Sequence, residues 1–386
     1  MNKQYNNKIE HRSCAFLKRF FLLWFIVSSN IVLADSNDSV YYSVEAKYHY
    51  GIFIPHHSDY IYQVKDYIQG GEVNVIRTRY RHGVWENSFN RIEFGFGMWY
   101  GSFGNDDVFG RGIALYPFLN LQLFQLGKLS AKARLAFGGG FVNRPFDINN
   151  NPFNTVFGSH ITAYGGLGLM VHYPVTNRIT LTGGMAINHF SNGSTRKPNN
   201  GANTASVSAG VRYNLTPAPE TLPQKIKMAA LSKRELLLLF SAGRNQAAHY
   251  NPKMYWSGSL TATYLWHINR NVALGTGVDF IKYGGAPYSH IRYQHIDPQA
   301  SYGLRDELFM GTFGTAEFHF GTTAIYFSPS VYLYTGTTPP QPYYARMGLR
   351  QKVYKNIVAH MGIKASFFTA EFIEFGIGYR FMLKQN

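Results

Sequence analysis

In the stretch RIEFGFGMWYG, residues 91–101, Ile92, Phe94, Phe96, Met98 and Tyr100 alternate with Glu93, Gly95, Gly97, Trp99 and Gly101. A period of two puts the first set on one face of an extended strand and the second on the other. The pattern returns near the C-terminus, where Ile373, Phe375, Ile377, Tyr379 and Phe381 alternate with Phe372, Glu374, Gly376, Gly378 and Arg380. An apolar face backed by a polar or glycine face is what a strand needs to cross a bilayer around a filled interior. Beyond residue 34 no segment has the roughly 18 consecutive apolar residues of a spanning helix. A membrane chain then has one route left, a closed barrel in which every backbone N–H and C=O is paired between strands. Composition agrees: 16% aromatic, 15% charged and 38 glycines are unusual for a soluble chain.

The N-terminal residues set an expectation about compartment. Lys3, Lys8, Arg12, Lys18 and Arg19 precede the apolar run FFLLWFIVSSNIVLA, which closes on Val32, Leu33 and Ala34 before Asp35. This is the pattern of a signal peptide over 1–34 and implies export. The single cysteine, Cys14, lies upstream of the apolar run, so the mature chain is expected to have no disulfide, thiol nucleophile or thiolate ligand. Removing 1–34 leaves 32 Lys and Arg against 20 Asp and Glu, a formal +12. A basic exported chain suits acidic partners such as phosphorylated lipids or polyanionic glycans, and export argues against nucleic acid.

Alternating segments fall at roughly 39–53, 72–82, 90–102, 109–124, 128–142, 157–173, 177–190 and 203–215, with a second set of about eight in 233–382. Long polar connections (54–71, 143–156, 191–202, 285–303) follow odd-numbered strands. Tight ones, such as Pro174 to Asn177 and Tyr354 to Asn356, follow even-numbered strands. Outer-membrane barrels have short periplasmic turns and longer external loops, which puts the long set outside. The fold class is therefore all-β: a transmembrane antiparallel outer-membrane β-barrel of about 16 strands in two halves. Tandem barrels and one larger ring both fit. The halves are 35–215 and 233–386, joined by a Pro-containing linker over 216–232. They look related, since VTNRITLTGGMA (175–186) aligns with VYKNIVAHMGIK (353–364) and GVRYNL (210–215) with GIGYRF (376–381). In that alignment Phe367 takes the place of His189, and the loop matching 191–202 is nearly absent.

The polar stretch NHFSNGSTRKPNNGAN, residues 188–203, stands at the end of one such strand. His189 and Ser191 share the apolar face with Ile179, Leu181, Met185 and Ile187, and Asn203 lies on the apolar face of the next strand. Polar groups facing lipid are costly unless they pair or meet a headgroup. Residues i and i+2 of a strand are about 6.5–7 Å apart, close enough for an imidazole to reach a serine hydroxyl. His189 as base and Ser191 as nucleophile could attack an ester carbonyl, with Asn192 and nearby N–H groups stabilising the oxyanion. On a lipid-facing surface the substrate would be a lipid. His56 and His57 are adjacent and so point to opposite faces of a strand, while His290 and His295 lie in a long loop. No metal-ligand spacing appears, and all four read as structural.

The run HFSNGSTRKPNNGAN, with His-x-Ser-Asn, Pro198-Asn199 and Gly201-x-Asn203, resembles the motif of the outer-membrane lipid A 3-O-deacylases, the PagL-type acyloxyacyl hydrolases. The upstream KYHYGIFIPHH, the loop NNNPFN and the closing EFIEFGIGYRF resemble longer, Bacteroidetes-type members with a second barrel-like half. The resemblance implies a cofactor-free carboxylic ester hydrolase acting on lipid A, or lipopolysaccharide, from the outer leaflet. His189 would be the base, Ser191 the nucleophile, Asn192 the oxyanion donor, and Asn199 a motif residue of structural or oxyanion role. Where better-known members place a glutamate to orient the histidine, this chain has Asn203, which can hold a tautomer but adds no charge. Asp147 and Asp59 are alternative acids, and Arg196 and Lys197 are placed to meet lipid A phosphates. A reading from another class is a noncatalytic barrel, porin-like or for adhesion or assembly, carrying a relic motif.

Overall fold

The computed structural model describes residues 40–56, 58–79, 92–216, 233–248, 251–289, 302–366 and 369–383. The signal segment 1–34, the linker beyond Thr216, and His57, His290, His295 and Phe367 lie outside the described residues.

Among the described residues sixteen strands close into two separate antiparallel barrels rather than one ring. The first is β1 (Val40–Phe53), β2 (Ile68–Arg79), β3 (Ile92–Ser102), β4 (Arg111–Leu126), β5 (Leu129–Val142), β6 (Ile161–Pro174), β7 (Ile179–Ser191) and β8 (Ala202–Asn214). It closes where β8 pairs with β1. The second is β9 (Lys233–Ala248), β10 (Asn251–His267), β11 (Val272–Tyr283), β12 (Leu308–Phe320), β13 (Thr323–Thr335), β14 (Tyr343–Tyr354), β15 (Ile357–Ser366) and β16 (Thr369–Leu383). It closes where β16 pairs with β9. The predicted alternation is the wall itself: on β7, Ile179, Leu181, Met185 and Ile187 face outward while Thr180, Thr182 and Asn188 face in.

Some strand starts and one loop rule differ from the sequence reading, and β6 begins at Ile161 rather than near 157. β2 begins at Ile68 rather than near 72, because the ladder to β1 runs on through Gly70 and Gly71 to Gly51. In the second barrel the odd-numbered rule breaks: β9 and β10 are separated by residues 249–250 alone, and β15 and β16 by 367–368. Those two connections flank the β9/β16 seam, and the first barrel's loop 192–201 rests against that seam.

An eight-stranded barrel is just wide enough for side chains to fill it, and both are filled. Inside the first, Arg212 reaches Glu45 at 3.1 Å and Glu93 at 2.9 Å, and Arg134 binds Glu45 and Glu72. Toward the end carrying the β1–β2, β3–β4, β5–β6 and β7–β8 connections, an aromatic plug that includes Phe53, Tyr60, Phe103, Phe109, Phe157 and Phe190 closes the mouth. In the second barrel, Arg346 binds Asp279 at 3.1 Å and Arg380 bridges Glu235 and Glu317 at 2.7 and 2.8 Å. The barrels touch near both ends. Ile92 and Leu119 pack with Phe320 at one end. At the other, loop 192–201 of the first barrel meets β9 and β16.

Candidate active site

β7 and β8 are consecutive antiparallel strands, and their register sets His189 directly opposite Asn203. Both side chains point out of the barrel, and His189 Nδ1 donates to Asn203 Oδ1 at 2.6 Å. Asn203 is held in turn. Its Nδ2 donates to His56 Nδ1 at 3.1 Å, and Tyr60 OH approaches the same nitrogen at 2.9 Å. His56 Nε2 meets the Asn200 carbonyl at 2.9 Å. A carbonyl only accepts, so His56 Nε2 carries the proton, and in neutral His56 the Nδ1 is an acceptor. That acceptor turns the Asn203 amide so that its oxygen faces His189. His189 is thereby protonated on Nδ1, with a lone pair on Nε2.

Ser191, the last residue of β7, is only 6% exposed despite its place on the outward face, because loop 192–201 folds back over it. Two donors converge on its Oγ: Asn199 Nδ2 at 2.8 Å and Gly193 N–H at 3.2 Å. Among the described residues no hydrogen bond joins His189 to Ser191. Catalytic hydrogen bonds are often long in the absence of substrate. Gly201 shapes the histidine's side of the site, since it sits at φ +77° and a Cβ there would lie 2.9 Å from His189 Cε1.

The other predicted residues take different places. Asn192 ties its loop to the β5–β6 connection, its side-chain amide donating to Ser159 Oγ at 3.0 Å and to the Arg196 carbonyl at 2.8 Å. Its own N–H donates to Asn199 Oδ1 at 3.1 Å. Asn199 therefore links the backbone N–H after Ser191 to the Ser191 hydroxyl. Arg196 and Lys197 are half-buried on the same loop, and the Lys197 N–H donates to Gln246 of the second barrel at 2.9 Å. Asp147 uses its carboxylate within its own loop. Its carboxylate accepts the N–H groups of Asn150 and Asn149, both at 2.9 Å, which hold its pKa below the ordinary carboxylate value. The Asp59 side chain lies outside the described residues. His56, read from sequence as structural, belongs to the histidine's support, and no spacing in the IPHH run signals that. Nearby backbone N–H groups were expected beside Asn192, but that it is Gly193 whose N–H turns to Ser191 is not legible before the turn is known.

Comparison with known families covers most of both barrels. The family described as "Lipid A 3-O-deacylase (PagL)" matches residues 74–212, and the one described as "Acyloxyacyl hydrolase, C-terminal domain" matches 234–385. The chain belongs to the lipid A 3-O-deacylase family. Within that family it is a two-barrel outer-membrane protein whose first barrel matches the deacylase unit and whose second matches the C-terminal domain. Among solved structures it is similar to the crystal structure of the outer membrane enzyme PagL, at 15% identity over 43% of this chain and 97% of that one, TM-score 0.30. It is also similar to Neisserial surface protein A, at 16% identity over 46% and 99%, TM-score 0.28. A mutant Rh. blastica porin matches at 9% identity over 89% and 100%, TM-score 0.20. No curated protein matches the chain.

Proposed function

We propose that this deacylase-family chain is a serine esterase that removes the 3-O-linked acyl chain of lipid A, working from the lipid-facing outer wall of its first barrel in the outer leaflet. The observation that carries the reading is the outward His189–Asn203 pair beside a Ser191 Oγ that receives two N–H donors. Outward is the direction from which a membrane lipid arrives, and Met185 and Ile187 continue the same face as an apolar track for an acyl chain.

In this mechanism Ser191 Oγ attacks the ester carbonyl while His189 Nε2 takes its proton. In this reading the Gly193 N–H and the Asn199 amide, which meet Ser191 Oγ, stabilise the oxyanion, a contribution worth about 3–4 kcal/mol per donor in other hydrolases. Collapse expels the sugar hydroxyl, which takes the proton from His189, and leaves an acyl group on Ser191. Water, deprotonated by His189, then releases the fatty acid and restores the serine. Asn203 holds the imidazole tautomer throughout but supplies no charge to the imidazolium. Asn192 anchors the loop, and Arg196 and Lys197 on the same loop are the candidates for meeting the substrate's phosphates.

Mass spectrometry of lipid A from cells producing the protein should show loss of one ester-linked acyl chain. Cells producing Ser191→Ala or His189→Ala at equal barrel content should show none. Unaltered lipid A with the wild type, or the same loss with Ser191→Ala, would reject the reading in favour of an inert barrel or another nucleophile.

A further inference from the structure

We infer that the second barrel holds the nucleophile turn of the first in its working geometry, with Gln246 as the positioning residue. The inference rests on the esterase reading above and gives a task to the barrel that matches the C-terminal domain.

The basis is what the turn touches. After Ser191 and Asn192 the backbone passes through Gly193 at φ +61° and Ser194 at φ +65°. The left-handed region is open to glycine but disfavoured for serine, and such a residue persists where its surroundings over-determine it. For Ser194 those surroundings include the other barrel. The Gln246 N–H donates to the Ser194 carbonyl at 2.8 Å, Ser194 Oγ donates to the Ala370 carbonyl, and Ser194 is 1% exposed. Gly193 lies against Ile373: a Cβ on Gly193 would be 2.3 Å from Ile373 Cγ1. Three residues beyond Ser194, Gln246 Oε1 accepts the Lys197 N–H at 2.9 Å. The bracket is itself braced, because Gln246 Nε2 donates to the carbonyls of Ala248 and Asn251, each at 2.9 Å.

Gln246 lies on β9, and Ala370 and Ile373 lie on β16, the two strands that close the second barrel. Loop 192–201 meets these two strands through Ser194 and Lys197. What the bracket fixes is the group that matters chemically. Gly193 N–H is aimed at Ser191 Oγ, and an oxyanion donor works only when held in place before the reaction. The second barrel is thus a buttress of the site although it contributes no reacting atom.

The test uses the full-length protein. Gln246→Met keeps the side-chain volume and removes both sets of side-chain hydrogen bonds. It should lower kcat for lipid A deacylation on the order of tenfold, with a smaller rise in KM because the same side chain holds Lys197. Labelling of Ser191 by a small fluorophosphonate should slow in parallel, and the heat-modifiable shift of a folded barrel should persist. Ile373→Ala, which opens space under Gly193, should act in the same direction. Should Gln246→Met fail to fold, Ser194→Ala removes only the hydroxyl contact to Ala370 and should still reduce kcat and labelling several-fold. Unchanged kcat and labelling in the folded variants overturn the inference. Activity surviving in Ser191→Ala overturns the esterase reading instead, so the two failures are distinguishable.

Discussion

Inside, the two barrels are built alike. Arg212 between Glu45 and Glu93 in the first has a counterpart in Arg346 between Asp279 and Glu374 in the second. Each also has an aromatic cluster toward one end, large in the first and smaller in the second, around Tyr283, Phe309 and Phe372. Outside they part. β7 and β8 are joined by the loop 192–201 that covers Ser191, whereas β15 and β16 are joined by residues 367–368 alone. The charged interior, which in an unknown chain would draw the eye as a constellation of titratable groups, is shared scaffold. The proposed reaction belongs to a rim of the first barrel where His189, Ser191 and Asn203 break the apolar outer wall. A polar residue is informative where the fold makes it costly, and in a small barrel that place is the outer face.

The interior half of the comparison carries the largest expected effect. If both networks are scaffold, Arg212→Ala and Arg346→Ala should each destabilise their barrel by about 3–5 kcal/mol, because each strands buried carboxylates without a partner. The temperature at which the heat-modifiable band converts reads this directly. A silent change in one barrel and a large one in the other would break the equivalence.

On the outer side, the oxyanion assignment separates two asparagines that lie close in sequence. Asn199→Ala removes a donor from Ser191 Oγ and should cut kcat by about 10²–10³. Asn192→Ala loosens the loop without removing that donor and should cost roughly tenfold at most. Steady-state deacylation by the two purified variants decides it, and a reversed order would return the oxyanion role to Asn192.

The smallest effects concern the chain His56–Asn203–His189. Asn203→Ala should slow the reaction by about 10- to 100-fold through loss of the tautomer, and Asn203→Asp should recover the rate or raise it by adding charge beside the imidazolium. His56→Phe should cost only several-fold, by freeing the Asn203 amide to turn over. In the Asn203→Asp background His56→Phe should cost little, since either carboxylate oxygen can accept from His189. The same several-fold cost in that background, which is zero coupling in a double-mutant cycle on kcat, would mean His56 acts by some route other than the amide.

Much of this was legible in the chain. Strict alternation placed nearly every strand, because one face of each must be apolar and a slip of one residue would invert it. The same alternation put His189, Ser191 and Asn203 on the outer face, and antiparallel pairing of neighbouring strands made His189 and Asn203 partners. Connectivity did not determine closure. Sixteen alternating strands have the same pattern in one ring or two, and the pairing of β8 with β1 and β16 with β9 is a long-range choice that no local period records. Nor could the sequence show His56 behind Asn203, the Gly193 N–H aimed at Ser191, or Gln246 across the barrel seam. Each is a contact between segments distant in sequence or a backbone direction set by a turn, and periodicity reports only the face on which a side chain stands, not what approaches it.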